Sequence, residues 1–238
     1  MRKAVIIGAT SGIGKALAEI LLEKGYMVGL TGRRTELAED LKNKYPGRAF
    51  VSFMDVKNTA ESPVQLKKLI DEIGGMDLFV YSSGVGNINP DLSFELEQEA
   101  VEINVTGFIN LTTAAAEYFR KQGSGHIVGI SSVASLRGSA EGPAYNATKA
   151  FMSNWLEGVR IKFFKAGLPV TVTEILPGLT DTAMAKGEGL FWVEPVEKVA
   201  GEIYQAIIKR KHRATVTKRW ALIAFLIKWM PDWIYRKL

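Results

Sequence analysis

No cysteine occurs in this 238-residue chain, so disulfide cross-links, thiolate nucleophiles and thiolate-held metals are excluded. Histidine is scarce as well, with only His126 and His212. No apolar run is long enough to cross a bilayer. The longest candidate, Ala221–Ile227, is too short and is interrupted by Lys228. The apolar stretch Ala4–Ile7 after Met1-Arg2-Lys3 is too short for a secretory core and ends in glycine, so it reads as a first strand. A cytoplasmic location is expected. The composition, 47% hydrophobic and 23% charged, is that of a globular domain and not of a disordered chain.

The net charge of +5 is unevenly spread. From Lys209 to Leu238 there are nine Lys/Arg and one acid, Asp232, a local charge of +8 that leaves the rest mildly acidic. This is a basic tail on an ordinary body, and it does not point to nucleic acid.

Short β-rich runs alternate with amphipathic stretches. Strands are expected at Ala4–Ile7, Met27–Thr31, Ala49–Phe53, Leu78–Tyr81, His126–Ile130, Val170–Ile175 and Ala214–Thr217. Helical patterns cover Lys15–Lys24, Glu36–Lys44, Val64–Ile73, Phe94–Gln122, Ala144–Lys165 and Val196–Lys209, the last with Pro195 at its first position. Such alternation implies crossover connections, a parallel sheet of about seven strands and one doubly wound α/β domain of Rossmann type. The domain is expected over residues 1–217, with a substrate loop near 183–195, and an apolar, basic helical extension follows over 218–238.

The first strand runs into Gly8-Ala-Thr-Ser-Gly12-Ile-Gly14. Glycines here let the backbone approach a pyrophosphate, and the following helix offers free N–H groups and a partial positive charge. The alternative is a plain tight turn. After the second strand the chain reads Leu30-Thr31-Gly32-Arg33-Arg34, and no acid lies between Glu23 and Glu36. An acid would select NAD at this point, whereas arginine accepts the 2′-phosphate of NADP. NADP(H) is therefore expected, with Arg33 the main ligand and Arg34 secondary; the plainer reading is two solvated surface arginines. Asp55 follows the third strand and suits either an adenine contact or a turn.

Tyr145-Asn-Ala-Thr-Lys149 places a tyrosine and a lysine four residues apart on one helix face. An ammonium nearby favours phenolate and fits the tyrosine for acid/base work. The spacing alone is common. Its company is a strand ending in Ser131-Ser132 and an asparagine, Asn104, inside the apolar run Val101–Gly107. A buried amide there needs partners.

Taken together, the glycine motif, Asn104, Ser132, Tyr145 with Lys149, and Pro177-Gly178-x-x-x-Thr182 resemble the short-chain dehydrogenase/reductase family of NADP-preferring type, over about residues 3–205. The resemblance implies that Tyr145 is the general acid/base and that Lys149 binds the nicotinamide ribose and depresses the tyrosine pKa. It implies that Ser132 orients a carbonyl and that Asn104 holds a water of a proton relay. It puts Gly8, Thr10, Ser11, Gly12, Ile13 and Gly14 at the diphosphate, Asp55 and Val56 at the adenine, and Ser83, Gly84, Pro177, Gly178, Thr180 and Thr182 around the nicotinamide. No metal is implied, and a homodimer or homotetramer is. Two positions depart from the pattern: Tyr81-Ser82-Ser83-Gly84 replaces the family's Asn-Asn-Ala-Gly, and Ile7 stands where many members carry threonine.

The tail Trp220–Leu238 carries three of the five tryptophans between basic flanks. It suits an anionic membrane interface. It equally suits packing on its own body, a roof over the substrate cleft or an oligomer contact. Every version favours an apolar substrate, as do Leu190, Phe191 and Trp192. The expected activity is hydride transfer between NADP(H) and a hydrophobic ketone, 3-oxoacyl, steroid or lipid-like alcohol. The alternatives are a non-catalytic NADP sensor or a membrane-peripheral scaffold.

Overall fold

The computed structural model describes residues 1–183 and 192–237. Seven parallel strands, β1 (Lys3–Ile7), β2 (Met27–Gly32), β3 (Ala49–Phe53), β4 (Leu78–Tyr81), β5 (Gly125–Ile130), β6 (Val170–Pro177) and β7 (Arg213–Val216), form one sheet in the order 3-2-1-4-5-6-7. Side chains alternate across a strand, and here both faces are apolar. Ala4, Ile6, Val28, Leu30, Val80 and Val128 meet α1 (Gly12–Glu23), α2 (Glu39–Lys44) and α7 (Val196–Ile208) through Leu17, Leu21, Leu41 and Ile203. Val5, Ile7, Phe79, Tyr81 and Ile127 meet α3 (Ser62–Ile73), α5 (Phe108–Gln122) and α6 (Pro143–Lys165) through Leu69, Leu111, Phe119 and Leu156. Helices on both faces explain why these strands read as continuous apolar runs.

Two helices differ from expectation. Glu36–Lys44 splits into a 3-10 turn, Thr35–Ala38, and α2. Phe94–Gln122 is α4 (Phe94–Val101), a π turn at Glu102–Gly107, and α5. Pro195 caps α7 from outside and is not its first residue. The tail forms α8 (Lys218–Trp229) and α9 (Asp232–Tyr235).

The chain winds outward from β1 to β3, then returns to place β4 on the other side of β1. Ligands of such sheets bind in the crevice beyond the strand ends at this reversal. The glycine motif, Ser82–Gly84, Ser131-Ser132 and Gly178 all follow strands at that edge.

His126 at the start of β5 is buried, with Nε2 2.8 Å from Thr173 Oγ1. Burial first, and Arg210 second, hold its pKa near 4. The folded state thus binds fewer protons than the unfolded chain between about pH 6.5 and 4. Stability should fall by about 3 kcal/mol on acidification through that window. Denaturant midpoints at the two pH values measure the loss; if His126→Gln leaves their difference unchanged, the loss comes from other groups.

Candidate active site

The glycine motif is built for close approach. Gly8 and Gly12 have φ of +83° and +54°, in the left-handed region that favours glycine. A Cβ on Gly8 would stand 2.7 Å from Ser83 N, so the β1 and β4 ends pack backbone on backbone. Gly32 lets the end of β2 lie against Thr10. Ser11 caps α1 with extended backbone and makes no side-chain cap bond, which leaves first-turn N–H groups for an anion. Its Oγ instead accepts a 3.2 Å bond from Arg34 Nη2. Arg34 is thereby the arginine seated at the glycine loop, with Arg33 exposed beside it. Asp55 adopts the turn role, accepting from Lys57 N at 3.0 Å. Its neighbour Val56 is buried under Gly107.

At the end of β5 the two serines separate. Ser131 Oγ donates to the Lys149 carbonyl at 2.9 Å and ties α6 to the sheet. Ser132 accepts from Ala134 N at 3.1 Å, opening a 3-10 turn, Val133–Leu136, and its hydroxyl lies near enough to the Tyr145 phenol to lower the phenol's pKa. Tyr145 and Lys149 share one face of α6, with Lys149 Nζ 5.7 Å from the Tyr145 ring centroid. Gly86 lies against that ring, where a Cβ would come within 2.9 Å.

Lys149 Nζ donates to the Ile130 carbonyl at 3.1 Å. Burial lowers its pKa to about 8, which still leaves it mostly charged at neutral pH. Burial acts oppositely on Tyr145, raising its pKa, while the Ser132 hydroxyl offsets part of the rise. The expected depression of the phenol by Lys149 does not emerge: desolvation raises the Tyr145 pKa, and the one opposing influence is Ser132.

Asn104 is fully buried in the π turn, a widened helical turn of a kind frequent at functional sites. Its amide pairs with both backbone groups of Val85, at 3.0 and 2.8 Å, and reaches Thr148 Oγ1 at 3.0 Å. Those partners answer the demand of a buried amide. Gly84 closes the group, since a Cβ there would stand 3.2 Å from both Asn104 Oδ1 and Lys149 Nζ. Where the family's amides are replaced, Tyr81 donates to the Ile103 carbonyl at 2.8 Å within the same turn.

Thr182 faces the glycine loop, 3.3 Å from where a Gly12 Cβ would be. Thr180 Oγ1 bonds the Gly178 carbonyl at 3.1 Å. A Cβ on Gly178 would overlap the Trp220 indole, so α8 lies directly on this turn. Leu190 and Phe191 of the expected lid lie outside the described residues. The Trp192 carbonyl accepts from Trp220 Nε1 at 3.2 Å. Sequence reasoning missed Arg137, which donates to the Met230 carbonyl at 2.9 Å, pairs with Asp232 at 3.2 Å and stacks 4.3 Å over Tyr235. It staples the tail to the segment joining Ser132 to Tyr145. Its partners lie more than ninety residues away in sequence, and no local pattern signals them.

Known proteins are similar to this chain. The profile of a family described as short chain dehydrogenase matches residues 2–190. An uncharacterized oxidoreductase of Staphylococcus haemolyticus is 32% identical over 217 residues, covering 89% of this chain and 93% of that protein. Two solved structures superpose with TM-score 0.80 over 90% of this chain and 96% of theirs: ElxO with NADP bound, 20% identical, and a Brucella melitensis 3-ketoacyl-(acyl-carrier-protein) reductase complexed with NADH, 19% identical. At those identities the likeness is one of fold.

Proposed function

The chain belongs to the short chain dehydrogenase family, a family of oxidoreductases, and on that premise we propose that it is an NADP(H)-dependent reductase of an apolar ketone or aldehyde. The observation that carries the reading is the convergence of Ser132, Tyr145, Lys149 and Asn104 beside a glycine cradle. A nicotinamide nucleotide fits the chain's own features: Gly8, Gly12 and Gly14 with the α1 N-terminus suit its diphosphate, and Asp55 with Val56 suits the adenine. Ser83, Gly84, Pro177, Gly178, Thr180 and Thr182 suit the nicotinamide end. The solved neighbours hold either cofactor form, so the NADP preference rests on Arg33 and Arg34.

When bound, the reduced cofactor supplies a hydride. Ser132 and Tyr145 hold the carbonyl oxygen between two hydroxyls. As charge develops there, the Tyr145 phenol gives up its proton, and the Lys149 ammonium stabilises the phenolate left behind. The relay that restores that proton is assigned to Asn104, whose amide is held by Val85 and Thr148.

The indole of Trp220 and the apolar tail support an apolar substrate. Residues 1–217 act as the catalytic domain and 218–238 as an extension. The exposed Phe151, Ile161 and Phe164 of α6 support a homodimer. A reduced nicotinamide cofactor is held ready inside the cell, and a cytoplasmic site of action is part of the proposal.

The test follows NADPH consumption with a panel of medium- and long-chain ketones, aldehydes and 3-oxoacyl thioesters. Turnover should rise with chain length. The rate should be flat below about pH 8 and fall about tenfold per pH unit above it, because Lys149 is charged below its pKa and neutral above. A fall that persists at the same pH in Lys149→Arg contradicts the assignment, and no turnover with any carbonyl contradicts the function.

A further inference from the structure

α8 is apolar on two opposite faces. Trp220, Ile223, Ala224 and Ile227 recur at helical spacing and turn inward, with Trp220 on the Gly178 turn. Leu222, Phe225, Leu226 and Trp229 recur at the same spacing, centred about 160° around the helix from the first set. They stay exposed, at 61, 62, 52 and 69%. Trp233 of α9, the helix that follows, adds a further exposed indole at 60%. Five large apolar side chains exposed along two successive helices are more than scattered surface residues and mark an interaction site.

The charges around the strip select its partner. Lys218, Arg219 and Lys228 of α8, and Arg236 and Lys237 just after α9, are all exposed. The tail's single acid, Asp232, is engaged by Arg137. A second copy packed symmetrically on this face would set cation against cation. An anionic lipid surface takes both features at once, apolar side chains entering the acyl boundary and lysines meeting headgroup phosphates. Tryptophans at the rim suit the headgroup level. Among the described residues no helix is long and apolar enough to cross a membrane, and α8, with 12 residues, would lie in the interface plane.

We propose that the outward strip of α8, with Trp233 of α9, docks this protein on anionic bilayers, with α8 lying between the lipid and the active-site turn that it roofs. Arg137 and the inward face hold the strip in place before docking, so no refolding is required. The proposal goes beyond the catalytic reading and stands whether or not the substrate is a carbonyl.

The experiment is co-sedimentation of the full chain with vesicles of phosphatidylcholine, alone and with added phosphatidylserine, alongside tryptophan emission. Binding should require phosphatidylserine, weaken with salt and shift the emission to the blue. Replacing Lys218, Lys228 and Lys237 by Gln should lower partitioning roughly five-fold per charge. Leu222→Ser/Phe225→Ser/Trp229→Ser should abolish it, with the thermal midpoint retained because all three positions are exposed. The proposal is overturned if the intact protein stays in the supernatant, or if both variant sets bind as well as the parent. It is equally overturned if sedimentation velocity shows the serine variant splitting a larger species, which would give the face to a second copy.

Discussion

Tyr145→Phe is expected to lower kcat for carbonyl reduction by about 10²–10⁴-fold. The substitution removes one hydroxyl and leaves the ring packed against Gly86. It also removes the neighbour of the Ser132 hydroxyl without disturbing the bond from Ala134 N that fixes Ser132. Cofactor affinity should therefore stay within about twofold, since the glycine cradle, Arg34 and Lys149 keep their places. Burial makes the loss large. A phenol whose pKa is raised stays protonated at neutral pH and so holds the proton to be given, and no other acid is assigned to that oxygen. Steady-state kinetics with cofactor titration separate the two parameters. A variant that keeps the parental kcat would place the proton donor elsewhere.

Arg33→Ser/Arg34→Ser should raise KM for NADPH by roughly 10²–10³-fold and leave KM for NADH nearly unchanged. The effect is electrostatic. A charge-assisted hydrogen bond to an anion contributes about 1.5–3 kcal/mol, so two arginines reaching one phosphate give roughly 10²–10⁴-fold, and the exposure of both places the effect in the lower part of that range. Arg34 is already directed to the loop through Ser11 Oγ, 3.2 Å away, so Arg34→Ser alone should carry the larger share. This reverses the ranking that chain order suggested. Side-by-side KM values for both cofactors in the single and double variants decide it. Equal losses for NADPH and NADH would mean that the arginines support the loop and do not read the phosphate.

The choice between the two arginines illustrates where sequence stops being readable. β4 runs over Leu78–Tyr81 as its apolar run and boundaries require, because buried parallel strands have a strong compositional signature, whereas the half-exposed edge strand β3 follows its β-rich run Ala49–Phe53. The gathering of the candidate site residues was legible for a similar reason: Gly, Ser, Tyr and Lys at strand ends and a helix start are positions that topology brings together. Directions of side chains were not. Whether Arg33 or Arg34 turns toward the loop depends on backbone angles after Gly32, which no spacing encodes. Ser131 and Ser132 are identical in kind, and only the strand's pleat sends one to the Lys149 carbonyl and the other to Tyr145.

The π turn at Asn104 escaped because helical periodicity continues on both sides of it. The tail was ambiguous for a physical reason. A helix apolar all round carries no information about which face is covered, and α8 resolves that by burying one face and exposing the other. Arg137 fixes the choice through contacts at long sequence separation, beyond any local pattern.

The central claim is reduction of a carbonyl at the Tyr145 site with hydride from a nicotinamide. Its most direct test is a label-transfer measurement, in which NADPH carrying deuterium at the reactive C4 position is turned over with the best ketone of the panel and the alcohol is analysed by mass spectrometry. One deuterium should appear on the carbinol carbon of the product from the parent enzyme, with Tyr145→Phe forming that product at the reduced rate given above. An alcohol formed without the label, or NADPH consumed without any alcohol, would contradict the account.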